Sequence, residues 1–334
     1  MALTGEQLNK AAALIGPHFL ESNVDNFSKA NPLYARMVAN EQLEYVAGGT
    51  NIRFPVEYAE NSTNSWTNGI NTVESSDTEQ THTLAQLELA YYAQKYANTL
   101  KDFAEAGDDS GAIRSLIKQT MNAAKNKTVR VLSESFFGSS TDNNELSISG
   151  LADVLGPSGT AYAGQLDTDF PAGAYLSERN TTSIAYSDIN YNAFSTLVNK
   201  LKARGSKFGN EYGDTFKPNL MLSNSIIHTA FENSLQEQRR FGKESTAFAG
   251  FEVLKFGGID YIVDDYSKDN HVYVLSTNTF KMCHRYGFNG KQSPMDGTAI
   301  LPNQPIVTAK SYLALQLVCM GRRFNGVFTN VQES

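Results

Sequence analysis

The chain has 334 residues, of which 41% are hydrophobic and 19% charged, values that indicate an ordered globular protein and exclude a disordered one. The net charge of −7 argues against nucleic acid as a ligand of the whole surface, and 2 cysteines are too few for a disulfide scaffold or a zinc site. No segment has the pattern of a signal peptide or the roughly 18 consecutive apolar residues of a membrane span. We therefore expect a protein of the cytosol, or one assembled there.

The start of the chain predicts two segments that lack a core of their own. Residues 1–40 carry a short amphipathic stretch broken by Gly and Pro, which predicts an extended arm. The segments 51–58 and 81–89 alternate between apolar and polar residues, so they predict the strands of a long hairpin over 41–90 with a polar tip. Pro55 confines the first strand to an edge or to a free hairpin, because proline has no N–H to donate to a sheet. Because both pieces are too poor in apolar residues to pack on the body of the chain, we expect neighbouring subunits to cover them.

Residues 112–137 predict a helix, because neither Gly nor Pro interrupts them and their apolar residues recur at helical spacing. At 1.5 Å per residue this helix would be about 39 Å long. Its charges are mostly basic, whereas the preceding stretch 74–109 is mostly acidic, which favours electrostatic register between the two, within one subunit or across two. Nucleic-acid binding by the basic stripe is the less favoured interpretation. The charged residues of the helix are Arg114, Lys118, Lys125, Lys127, Arg130 and Glu134.

The rest of the chain mixes helices and strands. We predict a helix over 188–204, a strand at 218–222 that leads into a second helix, and a tight hairpin around Gly257-Gly258. A further strand is predicted over 271–283, followed towards the C-terminus by a long buried strand, a break at a glycine and a final strand. Because helices and strands neither alternate strictly nor separate into halves, the sequence predicts the α+β class.

No pattern in the sequence predicts catalysis, a cofactor or a metal site. The chain has neither a Gly-x-Ser-x-Gly nucleophile motif nor a phosphate-binding loop, and its 5 histidines are dispersed. Cys283 and His284 are neighbours on a predicted strand and so point to opposite faces, which favours a buried thiol over a metal-binding pair. Asp264-Asp265 follow an apolar strand, which favours a turn over a cation site. We predict that the protein is not an enzyme and has no catalytic, cofactor-binding or metal-binding residue.

Two stretches of the sequence are informative when they are taken together with this order of elements. One is the helix ending RVLSESFFGSS with Ile148–Leu151 after it, and the other runs from PNLML through AGFEVLKFGGIDYIVDD to HVYVLSTNTFKM. In these stretches, and in its order of arm, hairpin, long helix, mixed domain and terminal strands, the chain resembles tailed-bacteriophage major capsid proteins of the Hong Kong 97 fold. The resemblance implies an N-terminal arm over 1–40, an extended loop over 41–90, a peripheral domain over 91–145 and 268–334 with a spine helix over 112–137, and an axial domain over 146–267.

The resemblance implies that the chain self-assembles into hexamers and pentamers of the icosahedral head that encloses the phage double-stranded DNA. It would be a virion protein assembled in the host cytoplasm, with no cofactor and no membrane contact. The implied partners are further copies of the chain, a portal protein and packaged DNA bound without sequence specificity. A scaffolding protein, separate from this chain, and decoration proteins are optional partners. Residues 44–94 contain no lysine, so the covalent cross-linking found in some family members is not expected.

We predict inter-subunit contacts at charged residues of the hairpin and the long helix, and at the single tryptophan, which could instead be a merely exposed loop residue. These contact residues are Arg53, Glu57, Trp66, Arg114, Lys118, Lys125 and Arg130. Within the structural class, the alternative is the shell of an encapsulin nanocompartment, which has the same fold and encloses cargo enzymes. From another class, the alternative is a soluble α+β hydrolase whose site has no recognisable motif.

Overall fold

The computed structural model describes residues 31–57, 82–99, 110–157, 159, 161–169, 180–206, 216–236, 253–289, 296–300 and 306–331. Across these residues the chain forms a five-stranded sheet, a six-stranded sheet and a two-stranded hairpin, together with several helices. This mixture confirms the predicted α+β class. The apolar side chains form two buried clusters, a main core that includes both the five-stranded sheet and the hairpin, and a second core on one face of the six-stranded sheet.

Helix α1 (Pro32–Ala39) is capped by Asn31, whose side-chain oxygen accepts a hydrogen bond from the Tyr34 backbone N–H at 2.9 Å. The apolar side of α1 is buried, and its buried residues include Leu33, Tyr34, Ala35 and Met37. The prediction of an extended arm over 1–40 is therefore wrong for the end of that range, because α1 packs into the main core of its own chain. The beginning of the predicted arm lies outside the described residues.

The predicted hairpin is formed by strand β2 (Asn51–Glu57) and strand β3 (His82–Glu88), which pair antiparallel. The alternation of the sequence places one face inward, where the buried residues are Ile52, Phe54, Val56, Ala85 and Leu87. All of them belong to the main core, so the expectation that the hairpin is too poor in apolar residues to pack on the body is wrong for its base. The predicted polar tip lies outside the described residues.

The predicted long helix is α2 (Ser110–Phe137), whose 28 residues correspond to about 42 Å. It packs beside strand β4 (Ala90–Thr99), where the Thr120 hydroxyl donates to the Asn98 side-chain oxygen at 2.6 Å. The side of α2 towards the core has the spacing of a helical stripe and carries Met121, Lys125, Thr128, Leu132 and Phe136. The helix ends at Phe137, the last residue of the predicted range.

The five-stranded sheet is built around β12 (Ile306–Cys319), the long strand predicted near the C-terminus. Strands β10 (Phe280–Asn289) and β11 (Asp296–Ile300) pair with one edge of β12, and β4 pairs with its other edge. Strand β1 (Leu43–Val46) pairs parallel with β10 and forms an outer strand of the sheet.

The six-stranded sheet has the order β5 (Asn180–Ser183), β13 (Gly326–Thr329), β9 (Val272–Leu275), β6 (Leu220–Ser223), β8 (Ile259–Val263) and β7 (Val253–Phe256). Helices α4 (Tyr191–Gly205) and α5 (Ser225–Gln236) cover one face, where the rings of Phe194 and Phe231 stack at 4.9 Å. Strands β7 and β8 form the predicted tight hairpin, and Gly257 and Gly258 have the positive φ angles, 55° and 83°, that such a turn requires.

The chain crosses between the two sheets at two points that the sequence does not predict. The stretch 271–283 is not one strand but parts of β9 and β10, because a 3-10 turn at Thr277–Thr279 carries the chain from the six-stranded to the five-stranded sheet. A second 3-10 turn, Arg322–Phe324, returns it from β12 to β13. The predicted domain boundary at residue 268 therefore does not coincide with a boundary between the sheets. A short helix, α3 (Leu151–Val154), follows the end of α2 in sequence.

Candidate inter-subunit surface

The outward face of the hairpin combines an apolar centre with charges of both signs, since Arg53 and the exposed Glu88 both lie on it. Leu84 is 53% exposed and lies directly opposite Pro55, which is also exposed. Arg53 lies diagonally across from Leu84 on the same face, and its Nε atom donates to the Gln86 side-chain oxygen at 3.3 Å. We call Arg53, Pro55 and Leu84 the hairpin patch.

The edges of the hairpin are poorly suited to receive a further strand. The outer edge of β3 is already occupied, since the Gln86 N–H donates to the Ala163 carbonyl at 3.0 Å and Gln165 Nε2 donates to the Leu84 carbonyl at 3.2 Å. These bonds show that the backbone of Gln86 and Leu84 points away from β2, so the backbone of their partners Arg53 and Pro55 points away from β3. Pro55 has no N–H to donate at that edge. The face of the hairpin is therefore the surface that a partner can use.

A second exposed feature follows the C-terminal end of α2. Asn143, Asn144 and Glu145 have consecutive left-handed φ angles of 54°, 59° and 65°. Asparagine tolerates this conformation, whereas a glutamate in it costs on the order of 1 kcal/mol. The next residue, Leu146, is 72% exposed. We call Asp142–Leu146 the turn knob, an apolar side chain flanked by acidic residues.

One buried carboxylate holds both ends of the loop that carries the turn knob. Asp153 is 4% exposed, and its oxygens accept from the Ser139 hydroxyl at 2.6 Å and the Ser140 N–H at 2.7 Å, which lie at the start of the loop. The Ser149 hydroxyl at the end of the loop donates to the same carboxylate at 2.8 Å. Charge-assisted bonds of this kind are about twice as strong as neutral ones, so the loop is clamped at its base.

Behind this clamp lies the buried side chain of Arg322, which is 1% exposed. Its Nε atom donates to the Val154 carbonyl at 2.8 Å, and its guanidinium lies 5.4 Å from the centre of the Tyr162 ring. The Tyr162 hydroxyl in turn accepts from the Cys319 N–H at 2.7 Å. The base of the loop is thus hydrogen-bonded to α3, and α3 is in turn hydrogen-bonded to Arg322, which follows the end of β12.

Of the predicted contact residues in the hairpin, Arg53 is exposed on the outward face, as a contact residue should be. Glu57 is the last residue of β2, but the structure does not describe its side chain. Trp66 lies outside the described residues, so the choice between an anchor and an exposed loop residue stays open.

Of the predicted contact residues in the helix, Lys118 and Arg130 are exposed, and Arg130 forms an ion pair with Glu134 at 3.7 Å. An exposed pair of this spacing contributes only about 0.3–0.5 kcal/mol, so it leaves both groups available to a partner. The side chain of Arg114 is not described. Lys125 is 5% exposed and lies on the inward stripe of α2. Because its side chain is buried within its own subunit, the prediction of an inter-subunit contact at Lys125 is wrong.

The predicted electrostatic register between α2 and the acidic stretch before it lies largely outside the described residues. Of the acids in that stretch, only Glu88 falls within the part that the structure describes, and it lies on the hairpin. The turn knob and its clamp were not predicted. The asparagine pair at 143–144 is the sequence signal for left-handed backbone, but nothing in the sequence indicates that Leu146 is exposed.

The paired aspartates predicted to form a turn do so. The Asp264 side chain accepts from the Tyr266 N–H at 3.0 Å, and Asp264 is buried, which raises the pKa of its carboxyl to about 7. No group of three or more His, Cys, Asp or Glu side chains that could hold a metal occurs among the described residues. None of the helices in the described ranges is long and apolar enough to cross a membrane.

His284 is the second buried group with a strongly shifted pKa. It lies on β10 beneath Tyr45 of the neighbouring strand, with the two ring centres 6.2 Å apart, and it is 7% exposed. Burial disfavours the charged imidazolium and lowers the pKa of His284 to about 4. The unfolded chain therefore binds a proton at this position between about pH 6.5 and pH 4, whereas the folded chain does not.

The His284→Gln variant is expected to resist acid better than the unmodified chain. Protonation at His284 favours the unfolded state of the unmodified chain. When the pH is lowered from 7 to 4, the difference in free energy of unfolding between the variant and the unmodified chain should therefore change by about 3 kcal/mol in favour of the variant. Asp264 has the opposite effect on the pH profile of both proteins, so the difference between variant and unmodified chain is the informative quantity. Urea unfolding at both pH values measures it.

The matched control is His82→Gln, since His82 is exposed on the hairpin. This variant should follow the pH profile of the unmodified chain. If His284→Gln also follows it, the imidazole of His284 does not have the low pKa described above.

No protein-family model and no curated protein matches the sequence. Solved structures do match it. The capsid asymmetric unit of cyanophage A-1(L) has 14% identity and a TM-score of 0.57, covering 87% of this chain and 91% of that chain. The capsid of an empty GTA particle has 13% identity and a TM-score of 0.56, with 88% and 96% covered. The holo-SrpI encapsulin of Synechococcus elongatus PCC 7942 has 12% identity and a TM-score of 0.53, with 89% of each chain covered.

The chain has the Hong Kong 97 fold. The predicted resemblance to tailed-phage capsid proteins is thus confirmed for the fold, which extends over 87% of the chain in the cyanophage comparison. At 12–14% identity these comparisons establish the architecture alone, and phage capsids and an encapsulin share it. Within the Hong Kong 97 fold of this chain, the hairpin patch and the turn knob are exposed features that each combine an apolar side chain with charge.

Proposed function

We propose that the chain is a major capsid protein that self-assembles into hexamers and pentamers of an icosahedral head around double-stranded DNA. The observation that carries this proposal is the match, along nearly the whole chain, to the capsid asymmetric unit of cyanophage A-1(L). A fold does not by itself determine a function. In this chain, however, a hairpin with an exposed apolar centre is the kind of surface that a second copy would cover.

The inter-subunit contacts of this assembly would include Arg53 on the hairpin and the exposed cations Lys118 and Arg130 on α2. Lys125 is not part of the proposal, because it is buried within the subunit. We also propose the sequence-based contacts at Glu57, Trp66 and Arg114. The structure does not describe the side chains of Glu57 and Arg114, and Trp66 lies outside the described residues. All three are to be tested with the others.

The domain assignment is proposed with one revision. The peripheral domain would comprise α2 and the five-stranded sheet, and the axial domain would contain the six-stranded sheet, including β9 and β13. The chain would be a virion protein assembled in the host cytoplasm without enzymatic activity. A portal protein and the packaged DNA would be its further partners, with scaffolding and decoration proteins as optional ones.

A second candidate is an encapsulin-type shell, which the match to the holo-SrpI encapsulin supports with a TM-score of 0.53. Both candidates require self-assembly and differ in the contents of the shell. A phage head protects double-stranded DNA from nuclease, whereas an encapsulin shell contains cargo protein. The contents of nuclease-treated particles from cells that naturally make the protein distinguish the two.

Sedimentation of the purified full-length chain tests the shared part of the proposal. We expect capsomers and larger particles whose proportion rises with protein concentration, because many modest contacts act together in assembly. A chain that sediments as a monomer at every concentration, with and without the other proteins of its source, contradicts both candidates. Particles that contain only cargo protein overturn the phage assignment and support the encapsulin.

A further inference from the structure

The exposed side of α2 carries more positive than negative charge. Its exposed charged side chains, among those that the structure describes, are the cations Lys118, Lys127 and Arg130 and the acid Glu134, which pairs with Arg130. We call the exposed side of α2 from Lys118 to Glu134 the basic face. The remaining polar side chains of the basic face are amides, at Gln119, Asn122 and Asn126. The face is therefore positive on a chain whose net charge is −7.

The tip of the hairpin has the opposite charge. We call residues 58–81, which lie outside the described residues, the hairpin tip. This segment contains no lysine and no arginine, and most of its other residues carry amide or hydroxyl groups. Its acids are Glu60, Glu74, Asp77 and Glu79. The composition of the tip therefore complements the basic face, since carboxylates meet cations and amides meet further hydrogen-bonding groups.

We propose that the hairpin tip of one copy of the chain lies on the basic face of α2 of the next copy. The inference rests on the proposed function, because the two surfaces meet in an assembly. It names the partner of Lys118 and Arg130, which the proposed function assigns to inter-subunit contacts without saying what they touch. The charges select the segment and its position, and the amides of the basic face add hydrogen bonds to it.

The acidic residues directly before α2 are poorly placed to cover this face. Residues 100–109 connect the end of β4 to the start of α2. Asn98 accepts a hydrogen bond from Thr120, so the connection begins level with Thr120 and ends about 15 Å away at the start of the helix. Lys127 and Arg130 lie on the other side of Thr120, towards the C-terminal end. These two cations are left for a segment from elsewhere.

The hairpin tip is long enough to be that segment. Its 24 residues give two arms of about 12 residues, which reach up to about 40 Å when extended at 3.3 Å per residue. The basic face needs less, because Lys118 and Arg130 are about 18 Å apart along the helix axis. A tip of this length can therefore leave its own subunit and still follow the basic face of a neighbour.

A contact between two different surfaces of one chain is a head-to-tail contact. Contacts of this type close into rings when the rotation between neighbours fits. The proposed hexamers and pentamers are rings, so each copy would place its tip on one neighbour and receive the tip of the other. A single exposed ion pair is weak, but every copy in a ring makes the contact twice.

Disulfide trapping between two differently tagged chains tests the contact. One chain carries Asn122→Cys or Asn126→Cys on the basic face, and the other carries Ser75→Cys or Ser76→Cys on the tip, so no charge is removed. The native Cys283 and Cys319 are buried, at 2% and 0% exposed. After mixed assembly and oxidation, denaturing electrophoresis should show a linked pair that carries both tags in at least one of the four combinations, since a disulfide needs Cα atoms about 4.4–6.8 Å apart.

The control for trapping is Ser187→Cys in place of the cysteine on α2. Ser187 is exposed near the six-stranded sheet, and this variant should give no linked pair with the tip. Assembled particles without a linked pair in any of the four combinations overturn the tip-to-helix contact and leave the proposed function standing. A link that forms only inside one chain overturns it as well. An unmodified chain that never assembles contradicts the proposed function, and the contact is then abandoned with it.

A charge exchange provides an independent test. Reversing the three cations of the basic face should raise the protein concentration needed for assembly at least tenfold, because like charges then meet. Reversing three acids of the tip should do the same, and the combined variant should return within about threefold of the unmodified chain. The substitutions are Lys118→Glu, Lys127→Glu and Arg130→Glu on the face, and Glu74→Lys, Asp77→Lys and Glu79→Lys on the tip.

The matched control changes the net charge equally at three exposed lysines away from α2 and should assemble within about threefold of the unmodified chain. Its substitutions are Lys95→Glu, Lys200→Glu and Lys268→Glu. A combined variant no better than the worse of its two parts overturns the contact, as does a control that assembles as poorly as the reversed face. Reversed-face particles that form normally but contain less DNA overturn it too, because the basic face then binds DNA.

Discussion

Gly150→Ala is expected to lower the free energy of unfolding by about 4 kcal/mol or more, enough to leave a marginal protein largely unfolded. A Cβ atom at this position would lie 2.4 Å from the Ser135 carbonyl oxygen, 2.6 Å from that of Gly138 and 2.7 Å from that of Phe136. All three are backbone atoms at the end of α2, so no side chain can rotate away. The loop and α3 would have to move off the helix end, which breaks the bond from the Ala152 N–H to the Gly138 carbonyl.

The control for this prediction is Gly48→Ala. A Cβ atom there has no heavy atom within 4 Å, so the change should alter stability by no more than about 0.5 kcal/mol. Urea unfolding of the two variants and the unmodified chain measures the difference. Equal midpoints for Gly150→Ala and Gly48→Ala would show that the helix end and the loop are not packed as described.

Asp153→Ala is expected to lower the free energy of unfolding by about 3–5 kcal/mol. It leaves the Ser139 hydroxyl, the Ser140 N–H and the Ser149 hydroxyl without their shared acceptor. Asp153→Asn should lose about half as much, because its amide keeps one acceptor oxygen but presents an N–H₂ group to a donor. The variant should also free the base of the loop that carries the turn knob.

Amide hydrogen exchange at Ser140 distinguishes this effect from general destabilisation. Its N–H donates to Asp153 at 2.7 Å, so exchange there should become faster in Asp153→Ala under conditions in which the six-stranded sheet remains protected. Asp188→Ala, at an exposed acid, should change neither stability nor exchange at Ser140. Unchanged exchange at Ser140 in Asp153→Ala would refute the role of the carboxylate as a clamp.

The elements that the sequence predicted correctly are those with strong local signals. An uninterrupted helical pattern predicted α2, strict alternation predicted β2 and β3, and the glycine pair predicted the turn between β7 and β8. Each of these signals lies within one element, so no knowledge of the tertiary structure is needed to read it. The distribution of strands between the sheets depends instead on the 3-10 turn at Thr277–Thr279, which has no distinctive composition.

The errors in the sequence prediction have physical reasons. The apolar residues of α1 and the hairpin are too few for a core of their own, but they join a core supplied by distant segments. Lys125 was grouped with the other cations of α2 by charge, although its spacing from Met121, Thr128 and Leu132 places it on the inward side. Of the seven predicted contact residues, the structure shows Arg53, Lys118 and Arg130 to be exposed. The sequence does not predict the exposure of Leu84 and Leu146, because that exposure depends on the fold.

Electron cryomicroscopy of particles formed by the unmodified chain tests the central claim most directly. The account requires closed shells in which five and six copies surround the symmetry axes, with the outward face of each hairpin seated on an adjacent copy. It is contradicted if concentrated protein, prepared with the other products of its source, contains only separate chains whose Leu84 and Arg53 face solvent.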